Sequence, residues 1–232
     1  MKQPFWWAVS AGAAILLVAF APTLWQSARP PSVGEHAAAM PQGLPWQTEV
    51  AADGALQVFG LAVGRDTLAR VEQQLADGLQ VALVARLGEP PVLEGLVDPH
   101  RAGFVSGRLV LAFEVDPAEA RRWQSRSPRS SPMEGGVRRF ELEVGDWAAA
   151  RGSRLLGLSF VPVAQLDEGV VRQRFGPPES TLGVPGLATA LLYPARGLVV
   201  TVAAGQRSVL QYVAPRDFDA RLRVPLATSA SH

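Results

Sequence analysis

The sequence predicts an α+β fold, in which an N-terminal transmembrane helix is followed by one or two modules that combine a helix with an antiparallel sheet. Three observations predict it. Residues 4–25 contain no charged side chain. Beyond them, short runs of alternating apolar and polar residues, bounded by Gly, Pro and Asp, indicate antiparallel strands. Between these runs, apolar residues spaced three and four apart follow an Asp, which indicates short helices with capped N-termini.

The uncharged run at residues 4–25 is long enough to cross a membrane as a helix. At about 1.5 Å per residue it would reach about 33 Å, and a hydrocarbon core is about 30 Å thick. Trp6, Trp7 and Trp25 lie at its two ends, where indole rings favour the membrane–water interface. We therefore expect residues 4–25 to be a signal-anchor helix that lies in the lipid bilayer.

A cleaved secretory signal and a buried soluble helix are the alternatives to an anchor. Lys2 and the small-x-small sequence Ala19-Phe20-Ala21 suit a cleaved signal. Pro22 would then follow the cut, where its fixed backbone suits a protease groove poorly. A retained anchor is favoured, and the basic residue before the span favours a cytoplasmic N-terminus. The expected location is the inner membrane, with the C-terminal domain in the periplasm.

Composition limits the chemistry of the exported part. The chain has no Cys, which excludes disulfides, thiolate catalysis and lipidation through a cysteine. Beyond residue 25, the 21 Arg equal the 21 acidic residues in number, and this balance argues against nucleic acid as a partner. Residues 26–43 are rich in Pro, Ala and Gly without an apolar period, which indicates a flexible linker.

The first predicted module spans residues 44–150. Asp53-Gly54 separates two alternating runs and predicts a hairpin. Spacing of apolar residues predicts a helix with Asp66 or Thr67 as N-cap that is closed by Gly78, and Asp116-Pro117 predicts the start of a second helix. Strands are expected at residues 79–87, 92–97, 106–115 and 137–144, the third of them central because both of its faces are apolar.

The second predicted module spans residues 151–217. It contains a buried strand near residues 155–161, a helix that residues 165–168 open and Gly176 stops, and three short strands. The remaining residues, 218–232, end in small and polar side chains and are expected to be disordered.

The two modules resemble each other at an offset of about 100 residues. Each has an apolar-Gly-Leu sequence, an Asp-led helix that ends at Gly, and then antiparallel strands. Two interpretations stay open: a diverged internal repeat, or the helix-then-sheet arrangement that is common in α+β proteins.

Residues 165–215 carry a family resemblance. The matching features are Val170, Val171 and Phe175 of the helix, the sequence Gly176-Pro177-Pro178, and the hairpin at residues 193–197. This pattern resembles the small outer-membrane assembly lipoproteins of the small protein A (BamE) type and the related β-lactamase-inhibitor-like modules. Under the internal-repeat interpretation the chain would carry a tandem pair of them. The resemblance implies scaffolding or binding rather than catalysis. The chain differs from that family in having no cysteine to lipidate and in its predicted membrane helix.

One charge cluster is a candidate binding site for an anionic surface. Six arginines fall within nineteen residues that contain a single acid, Glu134, and basic side chains at a surface attract anionic headgroups. The arginines are Arg121, Arg122, Arg126, Arg129, Arg138 and Arg139. A solvated loop is the alternative. Because strand side chains alternate, Arg138 and Arg139 are expected on opposite faces.

No motif indicates an enzyme, and we expect no catalytic, cofactor-binding or metal-binding residues. We therefore predict an anchored, non-catalytic binding or assembly factor of a bacterial envelope, with a protein partner whose identity stays open. The alternatives are an accessory structural subunit of a membrane complex, which predicts a large apolar patch on an exposed sheet, and a hydrolytic enzyme with dispersed carboxylates and Arg, which predicts a deep polar pocket.

Overall fold

The computed structural model describes residues 43–75, 78–86, 88–184 and 188–230. The predicted anchor and nearly all of the predicted linker lie outside these ranges. Within them, no helix is both long enough and apolar enough to span a bilayer.

The described chain is a mixture of helices and antiparallel sheet, which confirms the α+β prediction. The strands are β1 (Glu49–Val50), β2 (Leu56–Val58), β3 (Leu61–Val63), β4 (Gln80–Arg86), β5 (Val92–Ala102), β6 (Val105–Phe113), β7 (Ser130–Pro132), β8 (Val137–Phe140), β9 (Leu155–Pro162), β10 (Ser180–Val184), β11 (Ala188–Tyr193), β12 (Leu198–Ala203) and β13 (Val209–Val213). The helices are α1 (Leu68–Leu75), α2 (Pro117–Arg126), α3 (Trp147–Ala150), α4 (Glu168–Phe175) and α5 (Val224–Ala230), the last preceded by a π-helical turn at Asp219–Arg223.

One ten-stranded sheet joins the two predicted modules. Its order is β10-β11-β12-β13-β9-β6-β5-β4-β8-β7, and β1, β2 and β3 form a separate small sheet. Strand β6 of the first module pairs antiparallel with β9 of the second, from Gly107 opposite Pro162 to Phe113 opposite Leu155. Each half contains a helix followed by antiparallel strands, and both sets of strands extend outward from this central pair.

Capping residues set where the helices begin. The Asp116 carboxylate accepts hydrogen bonds from the backbone N–H groups of Ala118 and Glu119, and Pro117 occupies the first turn. Asp167 accepts one from the N–H of Val170, and Gly176, at φ 82°, ends the same helix. The start of α2 is the predicted one, and α4 begins within the predicted opening at residues 165–168, because a short acidic side chain satisfies N–H groups that have no partner inside the helix.

The sheet has two unlike faces. On the first face, buried residues of α1–α4 form one apolar cluster with residues of β4–β6, β9 and β11–β13. Tyr212 lies fully buried there, and its hydroxyl donates a hydrogen bond of 2.8 Å to the carbonyl oxygen of Pro45. On the second face, a smaller apolar cluster forms over β10–β13 only. The covered part of the second face therefore ends near the middle of the sheet.

The prediction of a disordered tail at residues 218–232 is wrong for residues 218–230, which are helical. Phe218, Leu222 and Leu226 recur every four residues and are 1%, 2% and 7% exposed. They pack against the second face of β11–β13. The Arg223 guanidinium also pairs with Glu179 at 3.0 Å, next to β10. Apolar burial therefore orders a segment whose polar terminal composition predicted fraying.

The central strand pair is expected to be intolerant of a side chain at Gly107. A Cβ there would lie 2.4 Å from the Val161 carbonyl oxygen and 2.7 Å from the Phe160 ring. We expect Gly107→Ala to lower the free energy of unfolding by about 1–3 kcal/mol, as overpacking does. Gly183→Ala is the matched control, because a Cβ on that strand glycine meets nothing within 4 Å. Equal urea-unfolding midpoints for the two variants would contradict this expectation.

Candidate binding surfaces

The six candidate arginines occupy helix α2, the segment after it and strand β8, and the structure divides them into two groups. Arg126 pairs with the buried carboxylate of Asp146, and Arg129 pairs with Glu141 at 2.9 Å. These two side chains are held by acids. Arg126 in particular ties the end of α2 to the turn before α3, so its position has a structural cause.

The other four arginines have no carboxylate partner within the described residues. Arg121 and Arg122 lie exposed on α2. Arg138 donates to the Ser130 hydroxyl at 2.8 Å, and Arg139 donates to the Gln80 side-chain oxygen at 3.4 Å. Arg138 lies on the strand face of Phe140, which packs against the main core, so Arg139 lies on the opposite face. The six side chains do not form one continuous surface.

A second candidate surface is the part of the sheet's second face that the C-terminal helices leave uncovered. We call it the open face. Register aligns its residues across four strands: Ala82 lies opposite Glu94, Glu94 opposite Ala112, Leu96 opposite Val110, and Val110 opposite Ser159. The open face consists of Ala82, Val84, Val92, Glu94, Leu96, Val110, Ala112 and Ser159.

The open face has an apolar centre and a polar rim. None of its residues belongs to either buried apolar cluster. Val84, Val92, Leu96 and Val110 are partly exposed, whereas the small residues between them, Ala82, Ala112 and Ser159, are 4%, 1% and 4% exposed. Arg139 and Gln80 lie at one side of it, and the Arg108–Asp98 ion pair, at 2.8 Å, lies at one end. An apolar centre inside a polar rim is the anatomy of a protein–protein interface.

Glu94 is the ionisable group at the centre of the open face. Ala82 and Ala112 flank it on the neighbouring strands, and Val92 and Leu96 flank it along its own strand. Burial among these apolar side chains raises the pKa of Glu94 to about 7. Sequence reasoning missed this residue, although the alternating run at residues 92–97 contained the signal, a single acid between apolar neighbours.

A third surface is an aromatic tip at one end of the sheet. Phe104, in the turn between β5 and β6, is 69% exposed, and Val163, just after β9, is 55% exposed. The Val163 N–H donates to the Ser106 carbonyl at 2.8 Å, so the two segments adjoin. The Trp46 ring lies 5.9 Å from the Phe104 ring, and the Arg174 guanidinium lies 4.9 Å from the Trp46 ring centre.

A cleft and a histidine within the described residues bear on the alternative of a catalytic site. A shallow cleft of about 330 Å³ is lined by Glu72, Val144, Trp147 and Arg151, and its carboxylate already pairs with Arg151 at 2.8 Å. His100 packs against aromatic rings, and burial lowers its pKa. In the part of the chain that the structure describes, no three His, Asp or Glu side chains converge as metal ligands would.

No protein-family model, no curated protein and no solved structure matches this chain. The resemblance of residues 165–215 to envelope-assembly lipoproteins therefore stays a prediction.

Proposed function

We propose that this protein is a non-catalytic binding or assembly factor of a bacterial envelope, anchored in the inner membrane by residues 4–25, and that its periplasmic domain binds a partner protein through the open face. The observation that carries the proposal is the apolar half of the sheet's second face, which none of the helices in the described part of the chain packs against. An apolar patch with a polar rim on an otherwise well-packed domain marks an interaction site.

The size of the open face suits part of a specific interface. With strands about 4.8 Å apart and about 3.3 Å per residue, its four strands cover roughly 15 Å by 20 Å. This is a footprint on the order of 300 Å², and Val84, Val92, Leu96 and Val110 supply its exposed apolar part. The flat shape suits a helix or another sheet more than a small molecule, which prefers a concave site.

Charge adds a requirement for the partner. Docking an apolar element over Glu94 would remove the remaining water from its carboxyl group, so the partner must either supply a hydrogen-bonding or cationic group or meet the protonated form. The resemblance to assembly lipoproteins, whose role is scaffolding or binding, points to the same class of function.

The open face also favours a second candidate, an accessory structural subunit of a membrane complex. In that case the face would be covered permanently, and the chain would purify with its partner in a fixed ratio. A transient assembly factor would instead show its partner only after covalent trapping.

Photo-crosslinking of the full chain in its membrane tests the proposal. We expect a photoreactive residue at Leu96 or Val110 to give a discrete adduct with another protein. Val144, which is 84% exposed and lies outside the open face, is the matched control position and should give none. Adding Val110→Asp should abolish the adduct from position 96, because it buries a second charge at the interface.

Three outcomes would contradict the proposal. The first is that a photoreactive residue at position 96 or 110 gives no adduct, and the second is that position 144 gives the same adduct. The third is an adduct with twice the mass of the chain, which would be a second copy of this protein. Circular dichroism of the Val110→Asp variant separates loss of binding from loss of fold.

A further inference from the structure

The aromatic tip gathers exposed apolar and basic side chains at one end of the sheet. The turn of Phe104, the segment of Val163 and the turn between β12 and β13 share this end, because Gly107 lies opposite Pro162 and Leu210 opposite Phe160. The Ser208 hydroxyl, at the last of these turns, also donates to the Leu166 carbonyl at 2.8 Å. Three exposed turns therefore project together.

Basic side chains surround the apolar ones. Arg101 and Arg207 are exposed in the described structure and carry no ion pair there, and Arg174 contacts the Trp46 ring. The acids along these segments already have partners. Asp98 pairs with Arg108 at 2.8 Å, Glu168 with Arg172 at 2.7 Å and Glu179 with Arg223 at 3.0 Å, and Asp167 caps α4 through the Val170 N–H. The end of the sheet is thus apolar at its centre and positive around it.

This combination suits an anionic bilayer surface. Aromatic and aliphatic side chains enter the headgroup region, and arginines meet anionic headgroups while their stems lie along apolar surface. The pair of Trp46 and Arg174 combines an apolar ring with a charged group. Trp side chains in the aromatic belts of membrane proteins likewise lie between apolar and polar surroundings.

The described chain enters the domain beside the aromatic tip, and an anchor at residues 4–25 would hold this end near the membrane. The described chain begins at Gly43, three residues before Trp46, so the predicted linker enters the domain at the tip. A flexible linker of about 18 residues has a root-mean-square length of about 20–25 Å. A weak surface contact then becomes effectively intramolecular.

We propose that the aromatic tip is a second membrane contact, in which Phe104 and Val163 enter the headgroup region of an anionic bilayer and Arg101, Arg174 and Arg207 bind its headgroups. This site is separate from the open face and from the arginines of α2 and β8. The proposal uses the predicted anchor, on which the proposed function also rests.

Spin labelling of the full chain tests the contact, since the chain has no native Cys. A label at Val163→Cys, in vesicles of phosphatidylcholine with phosphatidylglycerol, is expected to lose accessibility to a water-soluble nickel relaxant and gain accessibility to oxygen, at a depth of about 5–10 Å. A label at Met133→Cys is the matched control, because Met133 is also exposed but lies at the opposite end of the sheet, next to the Val137–Arg86 pair. It should stay in water.

Two variants on the Val163→Cys background identify the groups that make the contact. Phe104→Ser should return the label to water, and replacing Arg101, Arg174 and Arg207 by Gln should do so as well. In vesicles of phosphatidylcholine alone, the label at position 163 should also remain in water. The same variants are also made on the Met133→Cys background, where an unchanged spectrum of the label shows that the fold is intact.

The contact is refuted if the Val163 label stays in water while the chain still floats with the vesicles, a result that leaves the anchor standing. It is also refuted if immersion does not depend on anionic lipid or on the arginines. If the chain does not float with the vesicles at all, the anchor and the tip contact both fail.

Discussion

Replacing Phe218 by alanine is expected to lower the free energy of unfolding by about 3–5 kcal/mol, as truncation of a buried Phe does. The Phe218 ring is 1% exposed and packs with Leu222 and Leu226 against the second face of the sheet. Its loss leaves a cavity between the helix and the sheet and removes the first contact of the C-terminal segment. Urea unfolding of the detergent-solubilised full chain, followed by circular dichroism, measures the change.

Val224→Ala is the matched control for Phe218→Ala. Val224 lies on the same helical segment but is 59% exposed, so its truncation should change stability by less than about 0.5 kcal/mol. Equal midpoints for the two variants would mean that the C-terminal segment does not pack on the sheet, and the open face would then extend over β10–β13 as well.

Replacing Glu94 by glutamine is expected to stabilise the protein at pH 8 and to leave it nearly unchanged at pH 5. The native pKa of about 7 exceeds the ordinary value of 4.5 because the carboxyl lies among apolar side chains. At about 1.36 kcal/mol per pKa unit, the ionised form costs at most about 3 kcal/mol of folding free energy, and less where water reaches it. Glutamine is similar in shape and carries no charge, so it removes this cost.

The sign follows from proton binding. Between pH 4.5 and about 7 the folded state holds more protons on Glu94 than the unfolded state does. The contribution of Glu94 to stability therefore falls as the pH rises through this window and is constant above it. The free energies of unfolding of the native chain and of Glu94→Gln should therefore be similar at pH 5 and differ increasingly towards pH 8.

Glu49→Gln serves as the control for loss of a carboxylate, because Glu49 lies exposed on β1. This variant should show the same difference in free energy of unfolding between pH 5 and pH 8 as the native chain. If Glu94→Gln also leaves that difference unchanged, the carboxyl of Glu94 is hydrated, and the open face has a polar centre that would suit a different kind of partner.

Local features of the fold were predictable because they depend on residues close together in the chain. The start of α2 at Asp116-Pro117 and the end of α4 at Gly176 follow from hydrogen-bonding groups within a few residues. The opposite orientation of Arg138 and Arg139 follows from strand alternation alone. The surroundings of these arginines were not predictable, since Gln80, a partner of Arg139, lies 59 residues away in the chain.

The sequence by itself determined the uncharged run at residues 4–25, the absence of cysteine, the α+β class and the alternation that puts Glu94 on one side of its strand. Only the tertiary structure decided that β6 pairs with β9, that residues 218–230 form helices, and that these helices cover one half of a sheet face and leave the other half open. The physical reason is that strand order and the covering of a sheet face depend on contacts between segments far apart in the chain. The free energy gained by burying a face depends on how well a distant segment fits it, which local sequence patterns do not encode. An apolar residue spaced for a helix, such as Phe218, becomes a core residue only where a sheet presents a face to receive it.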